Sequence, residues 1–529
     1  MAKVNRVFKV NGQPFFPIGS EDCYAGYALR EGEEEFAFKS LSLMHGNSMA
    51  MPIHWDAIEP EEGKFDFTSL DSLIANARKY DIRLIPLWFA TWKNGAIGYT
   101  PAWIKSNPKR FKRTRDAMGK ELWSLSPHCK ATLEADKKAF AAICEHLKAV
   151  DSVEQTVIAL QVENEPDVVG SDRDYTPEGD AAFNSAVPAL FVTAMKKQGK
   201  GQIYDLWQQA GGKESGAWSE VFGGAAEAGN FMEVWSIARY IDAVSQAGKT
   251  VYDIPTFINL WGKHGLIDSE MFMDLYRWAT PHVDIIAPDN YHHDSRGYEE
   301  FCAIHTRDNN PLFMTETSGD QNMYRAIADY NCIGVHFGGI EHMVDENGIV
   351  LPENKPIADN VRCVAAVIPL LLKYQGTGKI HAIMQEYAMG GQWLRNLDGY
   401  IGVVQFGGGR SGMSPTDFRH RRNQVTAKGF GDNNARGLVI QASKHEFYLV
   451  GVGWRICLKP KLAPDKNRTS LSPGDLVFDQ IQEHYLSVDE GYFDKKGKFV
   501  VTNRRNGGHV NWGLWVEADI GVVRVLLCD

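Results

Sequence analysis

The sequence predicts an α/β protein in which a (β/α)8 TIM barrel over residues 1–375 is followed by an all-β sandwich domain over residues 376–529. Two observations support this fold class. Up to about residue 375, short apolar runs alternate with amphipathic stretches, and eight such strand–helix units are typical of a closed barrel. Beyond that point, strand-like stretches are separated by Gly, Pro, Asn and Asp turns, which is typical of a β-sandwich.

The eight predicted barrel strands are continuously apolar, as expected when both faces of a parallel strand are covered. No Gly-x-Gly-x-x-Gly motif follows the first of them, which disfavours an open dinucleotide-binding sheet. Between the strands, apolar residues recur at helical spacing, as they do from Leu70 to Ala77. The predicted strands are Phe15–Gly19, Ser48–Ile53, Arg83–Phe89, Val157–Val162, Thr256–Leu260, Val283–Ala287, Leu312–Thr315 and Ile333–Phe337.

An insertion at about residues 167–229 follows the fourth predicted strand and is too long for an ordinary strand-to-helix loop. We expect it to act as a functional lid or as a subunit contact, and the latter would fit a homo-oligomer. In the C-terminal domain, turn residues separate the predicted strands Gly437–Ala442, Glu446–Val452, Leu476–Ile481, Val500–Thr502 and Gly521–Leu527.

Composition excludes several classes of partner. The net charge of -10 disfavours nucleic acid, since phosphate binding needs a basic surface. No run of 18 apolar residues is present, so we expect no membrane span. The segment Met1–Arg6 lacks an apolar secretion signal. This favours the cytoplasm, although a trimmed periplasmic chain would look the same. Eight scattered cysteines without a Cys-x-x-Cys pair suggest reduced core residues.

Carboxylates stand at the ends of the fourth and seventh predicted strands. The fourth strand is followed by Glu163-Asn-Glu165, and the seventh by Glu316. A lone glutamate at a strand end is more often a helix cap or a salt-bridge partner. However, strands four and seven of a barrel lie nearly opposite each other, so these side chains should converge at its carboxyl-terminal mouth, where barrel enzymes place their catalytic groups.

Such a pair is what retaining glycoside hydrolysis requires. One carboxylate attacks the anomeric carbon, while the other protonates the departing oxygen and then activates water. We expect no cofactor and no metal, because His264, His292 and His293 lack the spacing of metal ligands.

Several passages resemble glycoside hydrolase family 35, whose clan places the acid/base on strand four and the nucleophile on strand seven. The resemblance extends from about residue 10 to residue 340, and more loosely to the end of the chain. Two of its passages resemble those of a bacterial subgroup with an added C-terminal β domain, Leu87–Asn94 and Gly334–Glu341. The other matching passages are Gln161-Val-Glu-Asn-Glu165 and Trp55–Phe67.

The resemblance implies a role for individual residues. Glu165 would be the acid/base and Glu316 the nucleophile. Asn164 would bind the hydroxyl beside the anomeric centre, and Tyr291 would orient the nucleophile. The run Glu21-Asp-Cys-Tyr24 partly matches the family's Glu-x-His-Tyr motif after the first strand. The resemblance therefore implies that Glu21 and Tyr24 contact the substrate.

Other residues near strand ends are candidate sugar contacts. Indole rings can stack on sugar faces, which makes Trp55, Trp88, Trp92 and Trp261 candidates as a group. Asn259 on the fifth strand fits a substrate donor or a turn former about equally.

The sequence departs from the family at two places in the predicted sugar pocket. Pro166-Asp167 follows the acid/base where Tyr-Gly is common. Ala90-Thr91-Trp92 replaces an Ala-Glu pair that contacts the sugar in the better-known β-galactosidases. Both departures affect sugar specificity rather than the chemistry.

The predicted function is that of a retaining exo-β-glycosidase acting on carbohydrate, with β-galactosidase as the first choice. The alternatives are a β-glucosidase or another exo-β-glycosidase of the same clan, a non-catalytic sugar-binding protein, and a metal-dependent barrel hydrolase.

Overall fold

A parallel eight-stranded sheet forms the centre of the computed structural model, which describes residues 6–22, 33–261, 270–385, 392–406, 435–461, 485–505, 507, 510 and 513–528. Each strand of this sheet pairs with its neighbours in the order of the chain, and β8 returns to pair with β1. The bridge between Met314 and Val335 joins the segment before β7 to β8, and this contact closes the barrel. The strands are β1 Ile18–Glu21, β2 Ser48–His54, β3 Arg83–Lys93, β4 Leu160–Asn164, β5 Thr256–Leu260, β6 Ile285–Asn290, β7 Glu316–Thr317 and β8 Val335–Gly338.

The predicted barrel is confirmed, with shifted strand bounds. β1 begins at Ile18 because the preceding Gln13–Phe15 pairs with Phe8–Val10 in a separate hairpin. A second hairpin outside the barrel joins Arg113–Arg115 to Glu121–Leu125. β7 is limited to the two residues Glu316–Thr317, which pair with β6.

Fifteen helices lie within the described residues and surround the barrel. The expected stripe from Leu70 to Ala77 is buried on α3, and each large apolar side chain removed from water in this way contributes about 1.5–3 kcal/mol. In chain order, α1 to α15 are Glu33–Leu43, Trp55–Ile58, Thr68–Lys79, Ala102–Lys105, Lys130–Asp151, Pro177–Asn184, Ala189–Gln198, Gln202–Gln209, Trp218–Phe222, Ala225–Val251, Glu270–Ala279, Ser295–His305, Asn322–Asp329, Lys355–Ala366 and Ile368–Tyr374. Short 3-10 turns lie at Ile340–His342, Pro352–Asn354 and Ala518–Ile520.

The insertion after β4 is largely helical and contains α6 to α9. Phe191 of α7 packs edge-on against Trp235 of α10 and Trp278 of α11, with ring centroids 5.2 and 5.7 Å apart. Most of the insertion therefore lies on the outer helices. Its first residues lie beside the loop after β3, where the Cα of Gly95 faces Val169. The role of the insertion as a lid or a subunit contact stays a prediction.

The predicted β-sandwich is confirmed for the C-terminal region. A six-stranded sheet has the order β9-β12-β13-β18-β15-β16, and a four-stranded sheet has the order β10-β11-β14-β17. Their strands are β9 Ile380–Met384, β10 Gln392–Leu397, β11 Tyr400–Phe406, β12 Arg436–Ser443, β13 Glu446–Val452, β14 Trp454–Pro460, β15 Tyr485–Phe493, β16 Phe499–Arg505, β17 Leu514–Val516 and β18 Val522–Leu527.

Two apolar layers hold the sandwich and attach it to the barrel. Val404 of β11 and Leu449 of β13 are buried between its two sheets. Ile440 of β12 and Val450 of β13 belong instead to the large core shared with the barrel helices. The predicted strand Leu476–Ile481 lies outside the described residues. The predicted domain boundary falls between α15, which ends at Tyr374, and β9, which begins at Ile380.

Among the residues with described structure, no helix is long and apolar enough to cross a membrane. Seven cysteines fall in this part of the chain, and all seven are free thiols. Six of them are buried, while Cys528 is exposed.

Candidate active site at the barrel mouth

The end of β4 has an unusual backbone. Glu163 and Glu165 both have positive φ values, of 63° and 43°, in the left-handed region that side-chain-bearing residues rarely adopt. Asn164 between them is fully buried, and its Oδ1 accepts hydrogen bonds from Gln161 and Asn259 at 3.0 and 3.1 Å. Strained backbone of this kind persists only where the surrounding structure enforces it, and it clusters at functional sites.

Glu165 lies at the rim of the barrel mouth. Its backbone N–H donates to Asn259 Oδ1 at 3.1 Å, and its carboxylate Oε2 accepts a hydrogen bond from the Asn94 side-chain amide. The residue retains 8% of its surface exposed. A carboxylate that is nearly buried yet still reaches solvent can meet a substrate without being fully hydrated.

Glu316 occupies the end of β7, in register with Asp289 of β6. Its Oε2 accepts a hydrogen bond from the Tyr291 hydroxyl at 2.8 Å, and its Oε1 accepts one from Asn259 Nδ2 at 3.2 Å. Burial raises the pKa of Tyr291, and the adjacent Glu316 raises it further. Tyr291 therefore stays protonated and acts as a fixed donor to the Glu316 carboxylate.

Asn259 of β5 connects the two glutamates. It is fully buried. Its Oδ1 accepts from the backbone of Glu165, while its Nδ2 lies within hydrogen-bond distance of Glu316 and, at 2.8 Å, of Asp289. Asn259 thus holds the backbone of Glu165 and the carboxylate of Glu316, and both glutamates lie close enough to raise the pKa of Asp289. Asn259 therefore bridges the ends of β4, β6 and β7, and its predicted role as a substrate donor stays a prediction.

A third carboxyl group lies between them. Burial raises the pKa of Asp289 well above its ordinary value, and the neighbouring Glu316, Glu165 and Glu21 raise it further. Asp289 Oδ1 lies 3.0 Å from the Thr315 hydroxyl. Glu21, at the end of β1 and 1% exposed, therefore belongs to the same cluster, and its predicted contact with substrate stays a prediction.

The predicted stacking of Trp55 and Trp88 on sugar rings is wrong. Both indoles are fully buried in the core, where Trp55 donates to Glu59 at 2.9 Å and Trp88 donates to Asp136 at 2.9 Å. A ring with no exposed surface cannot offer a face to a ligand.

The other predicted aromatic contacts fall into three groups. Trp92 is also fully buried, and its indole donates to the carbonyl of Leu125 at 3.2 Å. Trp261 and Tyr291 are 42% and 41% exposed after β5 and β6, respectively, so they stay candidate sugar contacts. Tyr24 lies outside the described residues.

Three residues of the site were not singled out from the sequence. Asn94 and Glu163 lie within passages quoted for the resemblance, and Asp289 follows the sixth predicted strand, but nothing in the residue types distinguishes a side chain that faces the mouth from one that faces the core. Glu163 points away from Glu165. Its Oε2 accepts the backbone N–H of Trp92 at 2.6 Å, and its carboxyl group meets that of Asp136 on α5.

Comparison with known proteins supports the glycosidase prediction. Residues 30–222, about a third of the chain, match the glycoside hydrolase family 42 model described as "Beta-galactosidase". This match indicates a β-galactosidase-like glycoside hydrolase sequence over the first half of the barrel. It does not support family 35 and indicates family 42 instead, so the predicted family is corrected while the enzyme class is confirmed.

The C-terminal region and the whole chain give less specific results. Residues 357–517 match a model described as "Domain of unknown function (DUF5597)". No curated protein matches the chain.

Solved structures of similar shape include two carbohydrate-active enzymes. A cold-adapted β-galactosidase from Rahnella sp. is 14% identical with a TM-score of 0.50, over 70% of this chain and 58% of that one. A β-amylase catalytic domain from Paenibacillus polymyxa is 14% identical with a TM-score of 0.47, over 65% of this chain and 97% of that one. At this identity the likeness to the Rahnella enzyme shows the barrel fold alone, and this chain spans under two thirds of that enzyme.

Proposed function

We propose that the protein is a retaining exo-β-galactosidase that removes terminal galactose from oligosaccharides or glycoconjugates. The observation that supports this most directly is that Asn259 connects the backbone of Glu165 with the carboxylate of Glu316, because retaining hydrolysis uses two carboxyl groups on either side of the scissile bond. The choice of galactose rests on the family model that matches residues 30–222.

The first step in the proposed mechanism is attack by Glu316. Its carboxylate displaces the leaving group at the anomeric carbon, while Glu165 gives a proton to the departing oxygen. The hydrogen bonds from Tyr291 and Asn259 fix the direction of the Glu316 carboxylate. Water then attacks the glycosyl–enzyme bond. Glu165 takes the proton of that water, so the configuration of the anomeric carbon is retained.

Asn164 is the proposed contact for the hydroxyl next to the anomeric centre, where hydrogen bonds strengthen in the transition state. The exposed faces of Trp261 and Tyr291 are the proposed sugar-stacking surfaces. We also propose a pocket for a single terminal sugar. With Trp55, Trp88 and Trp92 buried in the core, this part of the proposal rests on the two exposed rings and the family model.

A panel of nitrophenyl glycosides tests the function. We expect the β-galactoside to be the best substrate, and proton NMR to show the β-anomer as the first product. A preference for the β-glucoside would favour the alternative glycosidase, and no turnover of any member would favour a sugar-binding protein. Digestion of a defined oligosaccharide should release only monosaccharide at early times; early mid-sized fragments would contradict exo action.

A further inference from the structure

The strand pairing between β3 and β4 is interrupted at the active site. Trp88 pairs with Val162, and the next pair is Lys93 with Asn164. Between these pairs β3 contributes four residues, Phe89–Trp92, whereas β4 contributes Glu163 alone. Such a bulge leaves backbone groups of the longer strand without strand partners.

The side chain of Glu163 takes the place of a missing strand partner. Its Oε2 accepts the Trp92 N–H at 2.6 Å, in a site where Glu163 is fully buried. Its Oε1 is also buried, and within the described chain it accepts no hydrogen bond. If Oε1 carries a proton, it can donate a hydrogen bond to a neighbouring acceptor, and the buried oxygen is then no longer without a partner.

Asp136 of α5 is the acceptor for that proton. Its Oδ1 accepts from the Trp88 indole at 2.9 Å, and its Oδ2 accepts from the hydroxyls of Thr91 and Tyr240 at 2.7 and 3.1 Å. Burial, followed by the charge of Asp136, raises the pKa of Glu163 well above its ordinary value. The pair therefore holds one proton, on Glu163, and the donors around Asp136 stabilise the single negative charge.

The bulge leads directly to a contact with Glu165. Asn94 follows the bulge, and its backbone N–H donates to the carbonyl of Asn164 at 3.0 Å. The Asn94 side-chain amide donates to the carboxylate of Glu165. Whatever fixes Trp92 and Lys93 therefore also sets where Asn94 meets Glu165.

We propose that Glu163 is a positioning residue for the acid/base: as a neutral acid bonded to Asp136, it ties the bulged end of β3 to β4 and holds Asn94 against Glu165. This inference rests on the proposed function, because it concerns the proton that Glu165 gives to the leaving group. It assigns a role to the first glutamate of the Glu163-Asn-Glu165 run, which makes no contact with the reacting atoms.

The test compares kcat/KM for phenyl and dinitrophenyl β-galactosides. The phenyl group leaves only when protonated, whereas the dinitrophenyl group leaves unaided, so misplacing the acid slows the first substrate alone. For Glu163→Ala we expect phenyl turnover to fall by up to about 100-fold, the cost of a misplacement near 1 Å. For the dinitrophenyl substrate we expect a change of about threefold or less.

Glu163→Gln should restore near wild-type selectivity, because its amide can donate to Asp136 while its carbonyl accepts from Trp92. Asn94→Ala should reproduce the selectivity change of Glu163→Ala, and the double variant should be no worse than Asn94→Ala alone, since both act through one contact.

Asp151→Asn is the matched control. Asp151 is a buried carboxylate that accepts the Val157 N–H at 2.7 Å at the far end of the segment leading into β4. Its replacement should lower the melting temperature without changing the substrate ratio.

Equal losses on both substrates in Glu163→Ala, or a Glu163→Gln variant as impaired as the alanine one, would overturn the assignment. If Glu163→Ala does not fold, Glu163→Asp can be used instead, because it shortens the side chain by one methylene. An unchanged ratio of phenyl to dinitrophenyl turnover in Glu163→Asp would also overturn the assignment. A wild-type protein inactive on both substrates would contradict the proposed function instead.

Discussion

The ends of β4 and β7 each present a predicted catalytic carboxylate, but they are built in different ways. Glu316 lies in regular strand register with Asp289, and two side-chain donors, Tyr291 and Asn259, hold its carboxylate. At the end of β4, strand pairing with β3 slips, and Glu163 and Glu165 adopt positive φ values.

The difference corresponds to the two proposed roles. A nucleophile must be aimed at the anomeric carbon, and two hydrogen-bond donors at the end of a regular strand hold the Glu316 carboxylate in one direction. An acid/base must face the leaving oxygen first and water afterwards, so its position relative to both matters in each step. At β4 the chain gives up regular pairing and accepts backbone strain, of about 1–3 kcal/mol per residue, to set that position.

Replacing the nucleophile should have the largest effect. Glu316→Gln keeps the size of the side chain but removes the attacking oxygen anion, so we expect kcat to fall by about 10⁴-fold or more on every substrate. Added azide should not restore turnover with retained configuration. Glu300→Gln, at an exposed glutamate of α12 paired with Arg296, is the control and should match the wild type. Substantial activity in Glu316→Gln would remove Glu316 from the mechanism.

Replacing the acid/base should have the next largest effect, and it should depend on the leaving group. For Glu165→Ala we expect the phenyl β-galactoside to lose about 10²–10⁴-fold in kcat/KM. The dinitrophenyl substrate should lose far less, because its leaving group needs no proton. Steady-state kinetics on both substrates check this. Losses of the same size on the two would show that the ends of β4 and β7 do not have separate roles.

Sequence reasoning predicted the architecture well because buried parallel strands are rich in apolar residues, and an apolar run marks each of the eight predicted strand positions, although the observed β7 is confined to Glu316–Thr317 just after its run. It placed Glu165 and Glu316 correctly at the ends of β4 and β7. The predicted start of β1 at Phe15 was wrong. Phe15 pairs with Phe8 in the N-terminal hairpin and not with a strand of the barrel. An apolar run does not reveal which partner a strand segment has.

The tryptophan predictions failed for a related reason. Proximity to a strand end does not determine which way a side chain points, and Trp55 and Trp88 point into the layer between barrel and helices. The role inferred for Glu163 depends on the slipped register of β3 against β4. That register follows from tertiary packing and leaves no pattern in the residue types.

A smaller effect is expected from the donor to Glu316. Tyr291→Phe removes one hydrogen bond to a charged group, which is worth about 1.5–3 kcal/mol, and so should slow turnover by about ten- to hundredfold. Because Tyr291 donates to Glu316 and not to Glu165, the phenyl and dinitrophenyl substrates should slow alike. Kinetics on both substrates measure this.

Asn259→Ala tests the same difference between the ends of β4 and β7, because Asn259 contacts both Glu165 and Glu316. It should slow both substrates, and it should slow the phenyl substrate more because that substrate also depends on the acid/base. A leaving-group dependence in Tyr291→Phe, or its absence in Asn259→Ala, would contradict the division between the two strand ends.

The smallest effect on activity is expected for Asp289→Asn. Burial and the nearby glutamates raise the pKa of Asp289 well above its ordinary value, so its carboxyl group should be neutral at working pH, and asparagine should reproduce it. The asparagine carbonyl can accept from Asn259, and its amide can donate to Thr315, whose hydroxyl lies 3.2 Å from the carbonyl of Pro288. We expect kcat/KM to stay within about tenfold of the wild type, near the net worth of one neutral hydrogen bond.

The stability of the same variant should depend on pH with a definite sign. The native state holds the Asp289 proton that the unfolded chain releases near pH 3.8, so the contribution of Asp289 is fully present below that pH and is lost as pH rises towards the native pKa. The loss amounts to about 1.4 kcal/mol per pH unit in that interval. Asparagine does not titrate, so the stability of Asp289→Asn relative to the wild type should rise with pH from about 4 upwards. Denaturant unfolding at pH 4, 5.5 and 7 measures this difference. A relative stability that stays flat or falls over that range would mean that Asp289 is ionised in the native protein.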